Sequence, residues 1–267
     1  MNADFTRSEG AVHAGEPAWR AAELSDPHGA ADKAGKVRRM FSAIAGSYDL
    51  NNRVHSLWQD QRWRRLAVEA ADVKPGDAVL DVACGTGDLT LLFAKSPAAR
   101  VVGADFTPAM LEVARKKAGL EIPARREKVS FEEGDAQSLR FEAASFDVVS
   151  IAFGIRNVEQ PRRALAEFAR VLRPGGRLVV LEFEGQPPNA FMRWFNNLYC
   201  RRIMPRTATM ISGDKSGAYR YLPASVGTFL TRAEMEQAIR EAGFESVSSR
   251  PLSMGICVCY RGVRVGR

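Results

Sequence analysis

Apolar positions along the chain change their period twice, and the changes divide it. From about residue 36 to 71, Val37, Met40, Phe41, Ile44, Tyr48, Leu57, Trp58, Trp63 and Leu66 recur at helical spacing, which predicts two or three N-terminal helices. After the turn signal KPGD (74–77), the run 78–83 reads as a buried strand opening into Gly85-Thr86-Gly87 and a helix over 88–95. The rhythm then repeats, with a strand over 100–104 and helix over 108–117, a strand over 129–133, and a strand over 146–153 with helix over 162–172. The turn RPGG (173–176) precedes a strand over 177–183. Residues 186–229 break the pattern and read as an inserted helical segment, after which a helix (232–242) and strands 244–249 and 254–260 follow. Strands alternating with helices predict an α/β fold: a doubly wound, mostly parallel seven-stranded sheet covered on both faces. Residues 1–34, rich in Ala, Gly and Glu without apolar period, are expected to form a disordered tail ahead of one domain over 35–267.

Composition narrows the class. A chain of 267 residues with 46% hydrophobic and 26% charged residues suits one soluble globular domain. No apolar run approaches the roughly 20 residues that cross a bilayer, and no secretory pattern opens the chain, so a cytoplasmic location is expected. Cys84, Cys200, Cys257 and Cys259 show no C-x-x-C spacing, and Cys257 and Cys259 alternate on one strand face as small hydrophobes would. The net charge is +7, but residues 1–34 carry six acidic groups against three basic ones, which leaves +10 on the body. Such a body attracts nucleic acid, anionic lipid or anionic small molecules.

The candidate chemistry lies at the strand ends, where ligands of open α/β sheets bind. Gly85 and Gly87 follow the first strand where the backbone turns tightly and a ligand approaches without a Cβ in its way. Asp105 ends the second strand, placed to accept from both hydroxyls of an adenosine ribose, with Phe106 beside it. Asp135 and Ala136 end the third, suited to an adenine amino group and ring nitrogen, and Asp81 lies in the first. Each aspartate has a plainer alternative: Asp105 and Asp135 as helix caps, Asp81 as a solvated strand residue. A dinucleotide fits less well, because Thr90 stands where its fingerprint needs a third glycine and Asp88 would repel a pyrophosphate. A phosphate-free, positively charged sulfonium cofactor suits the loop better.

Several stretches are similar to the ubiquinone/menaquinone biosynthesis C-methyltransferase family over roughly residues 37–262: Met40-Phe41 with Tyr48-Asp49, VLDVACGTGDLT (79–90), FGIRNV (153–158), RPGGR (173–177) with LEF (181–183), and ISGDKSGAYRYLPASV (211–226). The glycine loop and RPGG turn are widespread; FGIRNV and YRYLP are far more specific. The resemblance implies a class I, Rossmann-like methyltransferase that moves methyl from S-adenosyl-L-methionine to a ring carbon of a polyprenylated quinol, demethylmenaquinol or a methoxy-polyprenyl-benzoquinol, and that forms a homodimer. It places cofactor contacts on Thr86, Asp105, Asp135 and Ala136. At the end of strand four Ala152 replaces a frequent hydroxyl residue, so a contact there falls to its backbone, and Cys84 replaces a frequent glycine.

Carbon methylation needs a phenolate and an aligned, dry pocket, with no metal. Arg156 is expected to stabilise the phenolate, directly or through a water, and Asn157 to orient the ring, the alternative being a pair that ties strand four to the next loop. Tyr48, Asp214 and Tyr221 are expected to hold the quinol head, and His55 is a weaker candidate base. Phe191, Trp194, Phe195 and Tyr199 among Arg193, Arg201, Arg202 and Arg206 suit peripheral contact with an anionic membrane. Nucleic acid is not the expected substrate, since FGIR stands where base-amino methyltransferases usually carry an Asn/Asp-Pro-Pro-aromatic motif. A methyltransferase acting on nucleic acid, favoured only by the basic charge, or on another small molecule is the runner-up, and a non-catalytic cofactor-binding subunit is the third reading.

Overall fold

The computed structural model describes residues 18–185, 207, 209–210 and 216–266. Seven strands form one sheet in the order β3-β2-β1-β4-β5-β7-β6. β1 (Ala78–Val82), β2 (Arg100–Asp105), β3 (Val129–Glu133), β4 (Phe146–Ala152) and β5 (Leu172–Phe183) run parallel, while β7 (Cys257–Arg264) lies antiparallel between β5 and β6 (Phe244–Leu252). The strand order reverses between β1 and β4, so the loops after those two strands open a crevice.

β1 is buried throughout because both sheet faces are covered. On one face, Leu80, Val82 and Phe146 pack with Leu165 and Phe168 of α7 (Pro161–Val171) and Ile239 of α9 (Arg232–Glu241). On the other, Val79 and Val148 pack with Trp63 and Ala67 of α3 (Gln59–Ala71) and Leu89 and Phe93 of α4 (Asp88–Phe93). Cys257 and Cys259 enter this second layer, from one face of β7. A third cluster joins α1 (Lys33–Ile44), through Val37, Met40 and Ile44, to Met110 of α5 (Pro108–Gly119) and Tyr219 and Tyr221 of α8 (Ala218–Gly227). α2 (Tyr48–Ser56) links α1 to α3, and a single turn, α6 (Pro123–Arg126), precedes β3.

Two boundaries differ from expectation. Residues 18–34 are not a tail: Trp19 is fully buried in the third cluster, and a 3-10 turn (Ala21–Ser25) leads into α1. Their polar composition hides this because they bury few side chains, against an element nearly 200 residues away. RPGG is not a break between elements either. β5 runs through it, and the register to β4 jumps from Phe146↔Leu172 to Val148↔Arg177, so the glycines form a bulge. Of the inserted segment expected over 186–229, α8 is the one helix that falls wholly within the described residues.

Asp81 ties the central elements together from beneath the crevice. It is completely buried, and its carboxylate accepts from Thr90 Oγ1 of α4 at 2.7 Å and from Ser150 Oγ of β4 at 2.8 Å. Burial pushes its pKa up to about 6 against the effect of those two hydroxyls. In the unfolded chain the group ionises near pH 4. The folded state therefore holds its proton longer, and Asp81's contribution to stability falls as pH rises from about 4 to about 6. Denaturant unfolding of Asp81→Asn alongside the parent chain is expected to show the variant gaining roughly 2–3 kcal/mol relative to the parent between pH 4 and pH 7. A pH-independent difference would show that folding leaves the Asp81 pKa unmoved.

Candidate active site

The turn after β1 uses its glycines for different ends. Gly85, at φ +55°, would carry a Cβ with no protein atom within 4 Å, so the space before it is open to a ligand. At Gly87, φ +81°, a Cβ would press on the Phe131 ring at 3.0 Å and on Ala114, so this glycine serves packing. Asp105 closes the floor: its Oδ2 accepts from the Gly85 amide and its Oδ1 from the Thr107 amide, each at 2.8 Å. Burial raises its pKa against these amide bonds. The Thr107 hydroxyl and the Phe106 amide also hydrogen-bond to this carboxylate, which lines the cavity as an acceptor. Asp135 accepts from the Gln137 amide at 2.9 Å, with the buried Ala136 beside it.

From β4 come Ala152, Phe153 and Gly154. A Cβ on Gly154 would lie 2.6 Å from the Ala83 Cβ, so the loops after β1 and β4 touch. Above them Ala34, Val37, Phe41, Tyr48, Phe106 and Met110 form an apolar roof. The protein around Tyr48 pushes its phenol pKa up by desolvation. Floor and roof together bound about 750 Å³ of space, its open mouth included. The open face at Gly85 and the Asp105 carboxylate on the cavity floor fit a neutral adenosine group.

Gly85, Asp105, Phe106, Asp135, Ala136, Ala152, Tyr48 and Asn157 all line this one cavity. Asp81, Thr86, Gly87, Arg156 and Tyr221 stand behind its wall. Thr86 Oγ1 donates to Asp49 Oδ1 at 2.5 Å, which ties the glycine turn to α2. Asp88 does not leave the loop acidic, contrary to the sequence argument against a pyrophosphate. It pairs with Arg53 at 3.0 Å and with Lys117, and lies 4.0 Å from Arg64. Burial favours the neutral acid, but Arg64, Lys117 and Arg53 outweigh it and hold the pKa at about 2.

Arg156 departs furthest from expectation. Its guanidinium is buried, donating to Glu182 Oε1 at 2.5 Å and to the Phe153 carbonyl at 2.8 Å, over the Phe183 ring. It ties β4 to β5, and its charge is balanced by Glu182 rather than held for a ligand. Asn157 is the residue of this motif that reaches the cavity, its Oδ1 accepting from Tyr221 Oη at 3.0 Å. Burial pushes the Tyr221 pKa to about 12, so the phenol stays a donor. Asp214, Cys200 and the aromatic-basic residues between 191 and 206 lie outside the described residues. His55 is not among the cavity residues, and burial lowers its pKa. Among the described residues no group of three or more His, Cys, Asp or Glu side chains is placed to hold a metal ion. Sequence reasoning missed Lys33, Trp19 and Glu182, whose main partners lie on other elements.

Among solved structures, the fold resembles a SAM-dependent methyltransferase of Thermotoga maritima (TM-score 0.57, 20% identity, 85% of this chain and 99% of that one). It also resembles phosphoethanolamine N-methyltransferase 2 of Haemonchus contortus, solved with S-adenosyl-L-methionine (TM-score 0.54, 16% identity, 76% of this chain and 52% of that one). Both likenesses concern the fold, the doubly wound seven-stranded sheet of class I methyltransferases. Residues 30–264 match the ubiE/COQ5 methyltransferase family, and the chain belongs to that family. It is 47% identical to the demethylmenaquinone methyltransferase of Thermus thermophilus over 226 residues, 84% of this chain and 100% of the relative. It is 40% identical to the ubiquinone/menaquinone biosynthesis C-methyltransferase UbiE of Roseobacter denitrificans over 232 residues, 86% and 91% of the two chains.

If Gly85 faces the cofactor, Gly85→Ala should weaken S-adenosylmethionine binding at least tenfold, about 1.4 kcal/mol, in calorimetric titration. The fold should survive, since the new Cβ meets no protein atom and the left-handed backbone costs about 1–3 kcal/mol. Unchanged affinity would place the cofactor elsewhere.

Proposed function

We propose that this chain transfers the methyl group of S-adenosylmethionine to a ring carbon of a polyprenylated quinol in respiratory quinone biosynthesis, with demethylmenaquinol the first acceptor to test and a methoxy-polyprenyl-benzoquinol the second. The observation that carries the reading is a single cavity with adenosine-suited carboxylates on its floor, an apolar roof, and Asn157 at its far side. Relatives at 47% and 44% identity bear the name demethylmenaquinone methyltransferase, which supports the order of testing.

When bound, S-adenosylmethionine supplies an electrophilic methyl on a positive sulfonium. Asp105 would accept from the ribose hydroxyls and Asp135 from the adenine amino group, with the Ala136 amide to meet a ring nitrogen. The acceptor carbon becomes nucleophilic as its neighbouring hydroxyl loses a proton, and negative charge gathers on that oxygen. Asn157 is the group for this charge: one of its amide protons goes to the Phe153 carbonyl at 3.3 Å, its oxygen is held by Tyr221, and its second amide proton remains to donate. Arg156 acts through this arrangement, by holding the Phe153 carbonyl and Glu182, without touching the ring. Tyr48, Val37 and Phe41 exclude water over the reacting atoms.

The reading extends to a cytoplasmic homodimer that meets the inner face of the membrane, where a prenylated substrate resides. No helix of the described residues is long and apolar enough to cross a membrane. Leu57 and Trp58, 78% and 60% exposed between α2 and α3, lie near the exposed Arg62 and Arg65. That mixture favours an anionic lipid surface.

Incubation with methyl-labelled S-adenosylmethionine and a panel of reduced acceptors is expected to place one label on a quinol ring carbon, located by mass. Asn157→Ala should lower kcat roughly 10²-fold while leaving cofactor affinity unchanged. Label in nucleic acid, or no transfer to any quinol, would overturn the reading.

A further inference from the structure

The stretch of chain ahead of α1 converges on one residue. Lys33, fully buried, donates from Nζ to the Arg156 carbonyl at 3.0 Å, to the Val158 carbonyl at 2.7 Å, and to His28 Nδ1 at 3.2 Å. An ammonium has three protons, and each has an acceptor, which offsets the cost of removing the charge from water. Burial still draws its pKa down to about 8, with Glu159 opposing and Arg156 adding to the effect. The two carbonyls belong to the neighbours of Asn157 on either side, so the ammonium pins the backbone of that residue.

The Lys33 bond also sets the histidine. With Nδ1 accepting, the ring proton sits on Nε2, which donates to the Ser225 carbonyl of α8 at 2.9 Å. Seventeen residues into the chain the same segment grips α8 again. The Ala18 amide donates to the Ser216 carbonyl at 2.9 Å, and Trp19 stacks on Tyr221 with ring centroids 4.2 Å apart. Tyr221 is the residue whose hydroxyl fixes the Asn157 side chain.

We propose that residues 18–33 are a strap that sets Asn157 from both sides, with Lys33 as positioning residue for its backbone and Trp19, through Tyr221, for its side chain. A methionine at position 33 would fill the same volume and bury more easily. What it lacks is the means to hold two carbonyls apart at the active-site turn. The strap touches neither Asp105 nor Asp135, so its role falls on the acceptor half of the site. The inference rests on Asn157 facing the acceptor for its kinetic consequence, and on the geometry alone for its structural one.

The test uses Lys33→Met in the full chain. Amide hydrogen exchange is expected to quicken at residues 154–158 and stay unchanged in the glycine turn, whatever the acceptor proves to be. S-adenosylmethionine affinity should stay within about twofold, while kcat on the methylated acceptor falls roughly 10- to 100-fold, as misplacement of a positioned group by about 1 Å does. Combined with Asn157→Ala, it should slow the enzyme no further than Asn157→Ala alone, because the two act through one group. Trp19→Leu probes the far end by the same coupling, should Lys33→Met not fold. Unchanged exchange at 154–158, or kinetic losses that multiply in the double variant, would overturn the proposal. Failure of the parent chain to methylate any quinol would defeat the functional reading and leave the exchange result to decide this one.

Discussion

Two loops from neighbouring parallel strands are forced against each other, and the site exists because they are. Gly154 has no room for a Cβ beside Ala83, and both loops carry non-glycine residues in left-handed conformation, Ala83 at φ +50° and Phe153 at φ +58°. Such backbones cost of order 1–3 kcal/mol each and persist only when their surroundings leave no alternative. Here the surroundings are specific. Asp81 fastens β1, β4 and α4 below, and the Phe153 ring packs between Trp63 and Phe183. Relaxing either loop would pull apart the floor on which Gly85 and Asp105 meet.

Buried charge in this protein builds walls more than it binds ligands. The cluster around Asp88 joins α2 and α3 to the glycine turn and to α5 by way of Arg53, Arg64 and Lys117. Arg156 and Glu182 join β4 to β5. In each case opposite charges balance within the wall, and the groups left facing the cavity are amides, hydroxyls and the carboxylates of Asp105 and Asp135, both already accepting amide protons. Replacing one partner of such a pair leaves an uncompensated charge, so these residues matter to the fold as much as to the chemistry.

The strand-end half of the site was readable from sequence because its signals are local. An apolar run, glycines at a turn and an aspartate at the next strand end each announce themselves within ten residues, and Gly85, Asp105, Asp135 and Ala136 line one cavity. The roles of Arg156, Thr86 and Asp88 were not readable. A guanidinium in a specific motif looks catalytic until Glu182, on a different strand, is seen to hold it. Lys33 and Trp19 were least visible of all, since they sit in a polar stretch and, His28 apart, the partners that give them meaning lie more than 120 residues away.

That distance orders the birth of the protein. During synthesis the β1 to β5 core and its adenosine floor can assemble from contiguous chain, while Trp19 and His28 wait for α8, some 200 residues later. The sheet itself stays unfinished until the last strand, because β7 enters between β5 and β6 and leaves β6 without a neighbour until then. A ribosome stalled short of residue 257 therefore carries a nascent chain with an open β5 edge, a target for chaperones or for another strand. The quinol side of the pocket therefore forms after the adenosine floor, and the sheet closes after both.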